Sequence, residues 1–154
     1  MERNGSAMRI VNEIKITMPS RSSNESFARV AVSSFFAQLD PTVDEIADIK
    51  TAVSEAVTNS IVHAYRNILG NIYITLRILE DHTAYVKIRD MGCGISDVKQ
   101  AMEPLFTTAP DEERAGLGFA VMQSFMDKVR ITSRPGIGTT VVLIKKIQAK
   151  QKNG

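Results

Sequence analysis

Two neighbouring segments of alternating apolar and polar residues constrain the fold of this chain more than any other feature. Every second position is apolar in both: Ile72, Ile74, Leu76 and Ile78 in the first, and Ala84, Val86 and Ile88 in the second. A period of two is that of a strand with one buried face. Only residues 80–82 separate the segments, so they predict an antiparallel hairpin whose second strand ends at Arg89.

The other periodic segments predict three further strands and three helices. The strands are expected at residues 9–18, 129–133 and 139–145, and the helices at residues 22–38, 43–65 and 117–126. This order predicts an α+β fold, a two-layer sandwich with an antiparallel or mixed sheet of about five strands and three helices on one face. A single domain is expected over residues 9–146, between an N-terminal extension, residues 1–8, and a basic tail, residues 147–154.

Composition excludes several classes of protein. Nineteen Lys and Arg residues face seventeen Asp and Glu residues, and the net charge of +2 is too small to predict a nucleic-acid partner. Cys93 is the only cysteine, which excludes an internal disulfide, and no cluster of Cys and His predicts a zinc site. Because the sequence has neither a signal segment nor a long apolar run, we expect a cytoplasmic protein with no direct nucleic-acid or membrane partner.

Two groups of residues are candidates for chemistry. Glu55 and Asn59 lie four residues apart on the second predicted helix, opposite its apolar stripe, and can converge on one ligand. Asp90 follows a strand directly, and Gly92 and Gly94 let the backbone after it approach a flat ligand. A carboxylate there can accept a hydrogen bond from an exocyclic amine, which favours adenine over guanine. The same residues also suit a solvated helix and an ordinary turn, so the pattern alone leaves both interpretations open.

A long irregular segment, residues 90–118, is predicted between the hairpin and the third helix. At its end, Gly116-Leu117-Gly118 would present free backbone N–H groups and the helix dipole to an anion, and Arg114 adds a positive charge. The segment therefore predicts a phosphate-binding loop, with a capped joint between loop and helix as the structural alternative. The G-x-x-x-x-G-K-[ST] phosphate loop is absent from the sequence.

Together these motifs resemble those of the GHKL ATPase and kinase superfamily. They occur in the family's order: Glu55-Ala56-Val57-Thr58-Asn59, Asp90-x-Gly92-x-Gly94-Ile95, Gly116-Leu117-Gly118 and Gly138-Thr139-Thr140. The resemblance implies a Bergerat nucleotide fold that holds ATP or ADP between its helix layer and a mobile lid. It implies that Glu55 is the general base, that Asn59 holds Mg²⁺ and that Asp90 binds the adenine amine. The other nucleotide-binding residues that it implies are Gly92, Gly94, Ile95, Thr107, Thr108, Arg114, Gly116, Leu117, Gly118 and Thr139.

Within the superfamily, three stretches look like the sporulation anti-sigma kinases. They are Asn24-Glu25-Ser26-Phe27-Ala28-Arg29-Val30, residues 54–65, and Pro104-Leu105-Phe106-Thr107-Thr108. This likeness implies a homodimeric serine kinase that inhibits sigma factor F, contacts it through Arg29, and phosphorylates an anti-anti-sigma factor of the stage II sporulation protein AA type. The sequence departs from the family's pattern at Ala64 and Ala109.

Two alternatives stay open at this point. A stress-response anti-sigma kinase would use the same chemistry with other partners, and only partner binding separates the two. A non-catalytic interaction module would need no general base, so the presence of Glu55 argues against it. A histidine kinase is disfavoured because no dimerisation helix with a phosphoacceptor His precedes the nucleotide-binding motifs.

Overall fold

The computed structural model of the chain describes residues 8–66, 68–98 and 110–148. Its strands are β1 (Ile10–Pro19), β2 (Asn71–Leu79), β3 (Thr83–Asp90), β4 (Lys128–Arg134) and β5 (Gly138–Lys146). Its helices are α1 (Asn24–Phe36), α2 (Val43–Thr58) and α3 (Pro110–Phe125). A 3₁₀ turn, Ala37–Leu39, follows α1, and a π-helical segment, Asn59–Ala64, continues α2.

The five strands form one antiparallel sheet in the order β1-β2-β3-β5-β4. The predicted hairpin is confirmed as β2 and β3, with Ile74 opposite Ile88. The last strand, β5, lies between β3 and β4 and pairs with both. As a result, Asp90 at the end of β3 lies opposite Thr139 at the start of β5.

One face of the sheet packs against the helices and forms the core. Its largest fully buried side chains come from both layers: Ile72, Ile74, Leu76, Ile88 and Leu143 from the strands, and Val32, Phe36, Ile49, Val53, Phe119 and Met122 from the helices. The predicted α+β sandwich is therefore confirmed. Burial of this apolar surface is the main stabilising contribution to such a fold.

The start of α2 is fixed by a capping box. The Thr42 hydroxyl accepts from the Glu45 N–H at 3.1 Å, and the Glu45 carboxylate accepts from the Thr42 N–H at 2.9 Å. Two N–H groups that lack helical partners are thereby satisfied. Glu45 also accepts from the backbone N–H of Gln148, and the neighbouring Ile147 is buried in the core. The packed chain thus extends to this C-terminal segment, which is held against the start of α2.

The third helix begins earlier than predicted. The sequence pattern predicts it at residues 117–126, whereas α3 is Pro110–Phe125. Gly116 and Gly118 favour a loop up to Gly118. The competing signals were Pro110, which suits the first helical position, and the acidic residues 111–113, which suit the positive end of a helix dipole. The helix therefore begins at Pro110 and includes both glycines.

Part of the segment predicted to be irregular lies outside the described residues. Val98 is helical, and residues 99–109, which include Thr107 and Thr108, are not described. Over the ranges that the structure describes, no helix has the length and apolar character needed to span a membrane.

Candidate functional site

Asp90 is a buried carboxylate at the end of β3, only 5% exposed. Its Oδ1 accepts from the backbone N–H of Gly92 at 3.0 Å and from that of Thr139 at 3.2 Å. Its Oδ2 accepts from the Ser60 hydroxyl at 2.9 Å. Donors from the helix layer, the following loop and β5 therefore fix one carboxylate in a single orientation.

The protonation of Asp90 reflects two opposing effects. Burial is the largest and raises the pKa, while the hydrogen bonds from Gly92, Ser60 and Thr139 lower it. The net result is a pKa above the ordinary value of 3.8. Because an ionised carboxylate has about four acceptor sites and three are used, Asp90 can still accept from one more donor.

The loop after Asp90 fits tightly against the protein's own backbone. A Cβ on Gly92 would lie 2.5 Å from the carbonyl oxygen of Ala64, and one on Gly94 would lie 2.1 Å from that of Arg134. Gly94 also has a positive φ of 76°. The Cys93 N–H donates to the Ala64 carbonyl at 3.0 Å, and the Cys93 carbonyl accepts from the Gly136 N–H. The glycines thus allow a close approach of protein backbone, which sets the shape of the loop.

Ile95 and Thr139 are joined through the hydroxyl of Ser133, which no sequence motif marks as a site residue. The Ser133 Oγ accepts from the Ile95 N–H at 2.7 Å and shares a hydrogen bond of 2.7 Å with the Thr139 hydroxyl. Ser60, which holds Asp90, was also missed as a site residue. A signal existed in its case, because Ser60 is a polar residue within the apolar stripe of a helix.

A second centre forms where α2 meets α3. A Cβ on Gly118 would lie 3.1 Å from Glu55 Oε1 and 3.2 Å from Asn59 Nδ2, so both side chains end at this glycine. Packing of α3 on α2 also accounts for the apolar residues beside the pair, since Ala52 and Ala56 are buried. The structure therefore brings together three of the predicted site residues.

Asn59 is the residue at which α2 changes to π-helical winding. Such segments are rare and are frequent at functional sites. Its Nδ2 is buried and has no hydrogen-bond partner among the described residues. Because leaving a buried polar group unsatisfied costs about 1–3 kcal/mol, this amide is suited to a ligand that satisfies it.

The predicted phosphate-binding loop is not present as a loop. Residues 116–118 lie inside α3, where backbone N–H groups are used by the preceding turn of the helix. The expectation of free N–H groups at a helix start is therefore wrong for this arrangement of the chain. The side chain of Arg114 lies outside the described residues, while that of Leu117 is 48% exposed.

Arg29 lies on α1, beside an open groove of about 310 Å³ that reaches Glu55. Its Nε is 2.7 Å from Glu25 Oε2. The other residues that line the groove are Ala47, Lys50, Thr51 and Ser54, all on α2. Glu55 is therefore covered by Gly118 on one side and open to this groove on the other.

Comparisons with known proteins agree with this geometry. The family model of the histidine kinase-like ATPase domain matches residues 18–145. The anti-sigma F factor of Bacillus subtilis (strain 168) is 56% identical over 135 residues, which is 87% of this chain and 92% of that protein. The anti-sigma F factor of Caldanaerobacter subterraneus subsp. tengcongensis is 57% identical over 136 residues, or 88% and 94% of the two chains.

A solved structure shows the same fold. The crystal structure of the RsbU and RsbW domains of Rv1364c from Mycobacterium tuberculosis has a TM-score of 0.66 at 21% identity. The match covers 89% of this chain and 32% of that chain. The sandwich fold and the nucleotide-binding motifs thus define a histidine kinase-like ATPase domain. The chain belongs to this family and, within it, to the family of the anti-sigma F factors.

Substitution of Gly94 and Gly136, two of the three described glycines with positive φ, tests the packing of the Asp90 loop. Gly94 and Gly136 have φ values of 76° and 77°, but a Cβ on Gly136 would meet nothing within 4 Å. Gly136→Ala should therefore lower the free energy of unfolding by about 1 kcal/mol through backbone strain alone. Gly94→Ala should cost about 1–3 kcal/mol more because its Cβ has no room. Urea denaturation measures both, and equal losses would contradict the described packing.

The raised pKa of Asp90 predicts a pH dependence of stability. Because the folded chain holds this proton more tightly than the unfolded chain, the contribution of Asp90 to stability is greatest at low pH. It is lost as pH rises from 3.8 through the raised pKa. Asp90→Asn removes this change, so the free energy of unfolding of wild type minus variant should fall across that window. A difference that grows with pH would show instead that the pKa is lowered.

Proposed function

We propose that this protein is an ATP-dependent protein serine kinase that also binds and inhibits a sigma factor. The observation that supports it best is the meeting of Glu55 and Asn59 at Gly118, next in the chain to Ser60, which donates to the buried carboxylate of Asp90. A nucleotide-binding module needs Asp90 alone to recognise its base. A carboxylate at the far end of the site, open to a groove, is what a phosphoryl-transfer enzyme needs in addition.

Asp90 would recognise adenine through its remaining acceptor site. The exocyclic amine of adenine would donate to the carboxylate, whose orientation is fixed by Gly92, Ser60 and Thr139. Guanine has a carbonyl oxygen at the same position and would leave a buried carboxylate facing another acceptor. Mismatches of this kind are strongly rejected because buried polar groups remain unpaired. The site should therefore prefer ATP or ADP to guanine nucleotides.

Asn59 fits the role of a Mg²⁺ ligand. Its amide group is buried and incompletely satisfied, and the amide oxygen and nitrogen can exchange places by a flip of the side chain. An amide oxygen is a neutral ligand of the hard type that Mg²⁺ prefers. When bound, the ion would neutralise charge on the phosphates of the nucleotide. Glu55, one turn away, would stay free for the acceptor.

Phosphate binding would require a change in α3. The N–H groups of residues 116–118 become available to an anion only if the first part of this helix unwinds or moves. Gly116 and Gly118 favour such a change, because each glycine inside a helix costs about 1 kcal/mol relative to alanine. The same motion would draw Gly118 away from Glu55 and Asn59 and open the space between them.

Glu55 would act as the general base. It lies where the groove on α2 reaches the second centre, so a serine hydroxyl entering through this groove can approach its carboxylate. As the serine oxygen bonds to the γ-phosphorus of ATP, the bond from that phosphorus to the bridging oxygen would break and ADP would leave, while the hydroxyl proton passes to Glu55. Arg29 and Lys50, which line the groove, would provide positive charge toward the acceptor protein.

Three partners complete the proposal. The protein would inhibit sigma factor F, phosphorylate an anti-anti-sigma factor of the stage II sporulation protein AA type, and form a homodimer. The surface of α1 supports a protein partner, since Phe27 is 55% and Val30 is 66% exposed beside Arg29. Apolar side chains next to an arginine are typical of the central part of protein interfaces.

Substitution of Glu55 separates binding from chemistry. Glu55→Gln keeps the size of the side chain and removes its basicity, so transfer of phosphate from labelled ATP to the anti-anti-sigma protein should fall by about 10²- to 10⁴-fold. ATP affinity, measured by calorimetry, should change little. Glu80→Gln, in the turn after β2, is the matched control and should retain full transfer. Near-normal transfer by Glu55→Gln would rule out Glu55 as the base.

A further inference from the structure

The sheet has a second face that no described element covers. All three helices pack on the other face, so most of the outward side chains of the strands are partly or fully exposed, while Thr75 at the centre of the sheet is buried. We name this surface the open face. The strand registers place on it Glu13, Lys15 and Thr17 of β1; Tyr73, Thr75 and Arg77 of β2; Tyr85, Lys87 and Arg89 of β3; Lys128, Arg130, Thr132 and Arg134 of β4; and Thr140, Val142, Ile144 and Lys146 of β5.

Charge is strongly segregated onto the open face. Eight cationic residues lie on it, namely Lys15, Arg77, Lys87, Arg89, Lys128, Arg130, Arg134 and Lys146. Its only carboxylate is Glu13, which is already paired with Arg77. The face therefore has a charge of +7, while the other eleven cations and sixteen acids of the sequence leave −5 elsewhere. The small net charge of the chain conceals a strongly basic surface.

Two guanidinium groups on the open face are held flat by tyrosine rings. The Cζ of Arg89 lies 4.5 Å from the centre of the Tyr73 ring, and that of Arg77 lies 5.0 Å from the centre of the Tyr85 ring. Stacking of this kind orients the guanidinium and reduces its freedom. The outer surface of each stack is a planar group, against which the bases of nucleic acids stack.

From this surface we propose that the open face binds single-stranded nucleic acid through its backbone and without sequence specificity. A ratio of eight cations to one carboxylate is typical of nucleic-acid interfaces, which are far more positive than protein interfaces. A second copy of the chain would place like charges against each other. Insertion into lipid would need protruding apolar side chains, whereas Val142 and Ile144 are half-buried between the charged residues.

The width of the face indicates a single strand rather than a duplex. Five strands separated by about 4.8 Å span about 19 Å, which exceeds the major groove width of about 12 Å. The sheet therefore cannot enter the groove and read a duplex. A flexible single strand can lie across the strands, with phosphates near the Lys and Arg side chains. Asp90 is buried on the helix side of the sheet. A nucleotide bound at Asp90 and a nucleic acid bound on the open face would therefore lie on opposite sides.

Charge reversal on the open face tests the proposal. Fluorescence anisotropy would follow a labelled oligouridine of about 20 nucleotides between about 50 and about 200 mM salt. Wild type should bind with a Kd of about 1–100 µM that weakens with salt. Lys87→Glu combined with Arg130→Glu should raise Kd at least about tenfold and reduce the slope of log K against log salt by about 1.4.

A matched control separates a local surface from bulk charge. Arg21→Glu combined with Arg66→Glu changes the net charge equally but lies off the strands of the open face, so RNA binding should stay within about threefold of wild type. ATP binding by every variant serves as the test of folding.

The proposal is overturned by absence of RNA binding in wild type, by equal losses in the two double variants, or by tighter binding of a duplex of equal length. Binding of polyglutamate but not RNA would assign the face to an acidic protein and also overturn it.

Discussion

The pairing of β3 with β5 is the constraint on which the site depends. It places the Thr139 N–H on Asp90 and brings the turn before β5 against the loop at Gly94. Burial of a carboxylate is unfavourable unless donors replace water. Here the donors come from three separate parts of the chain, so a correct site requires the sheet, the helix layer and the loop together. The same set of contacts therefore stabilises the fold and forms the site.

The sheet also separates two chemistries. Its helix side holds the buried carboxylate and the meeting of Glu55, Asn59 and Gly118, which are neutral or acidic groups suited to a nucleotide and a metal. Its open face carries most of the positive charge of the strands. The two sets of side chains are separate because alternate residues of a strand point to opposite sides. The proposed nucleotide site and the proposed nucleic-acid site lie on opposite faces and would not compete for space. The α3 helix, which has two glycines near Glu55, is the element whose movement would connect nucleotide binding with the groove beside Arg29.

Local patterns in the sequence predicted most of the elements and much of the site. The hairpin and the position of Glu55 and Asn59 on one side of α2 follow from short-range periodicity, which the sequence displays directly. The position of β5 between β3 and β4 could not be predicted, because pairing between distant strands leaves no local signal. Ser133 was missed for the same reason, since its role arises only when Ile95 and Thr139 meet. The predicted start of α3 was wrong because glycine signals and helix-start signals compete over a few residues.

Calorimetric titration with ATP and with GTP, in the presence of Mg²⁺, tests most directly the central claim that Asp90 reads adenine. Wild type should prefer ATP by at least about tenfold, because guanine leaves the carboxylate without a donor. Asp90→Asn should weaken ATP binding and abolish the preference, since its amide can also donate to the guanine oxygen. Equal affinities for the two nucleotides in wild type, or an unchanged preference in the variant, would contradict the account.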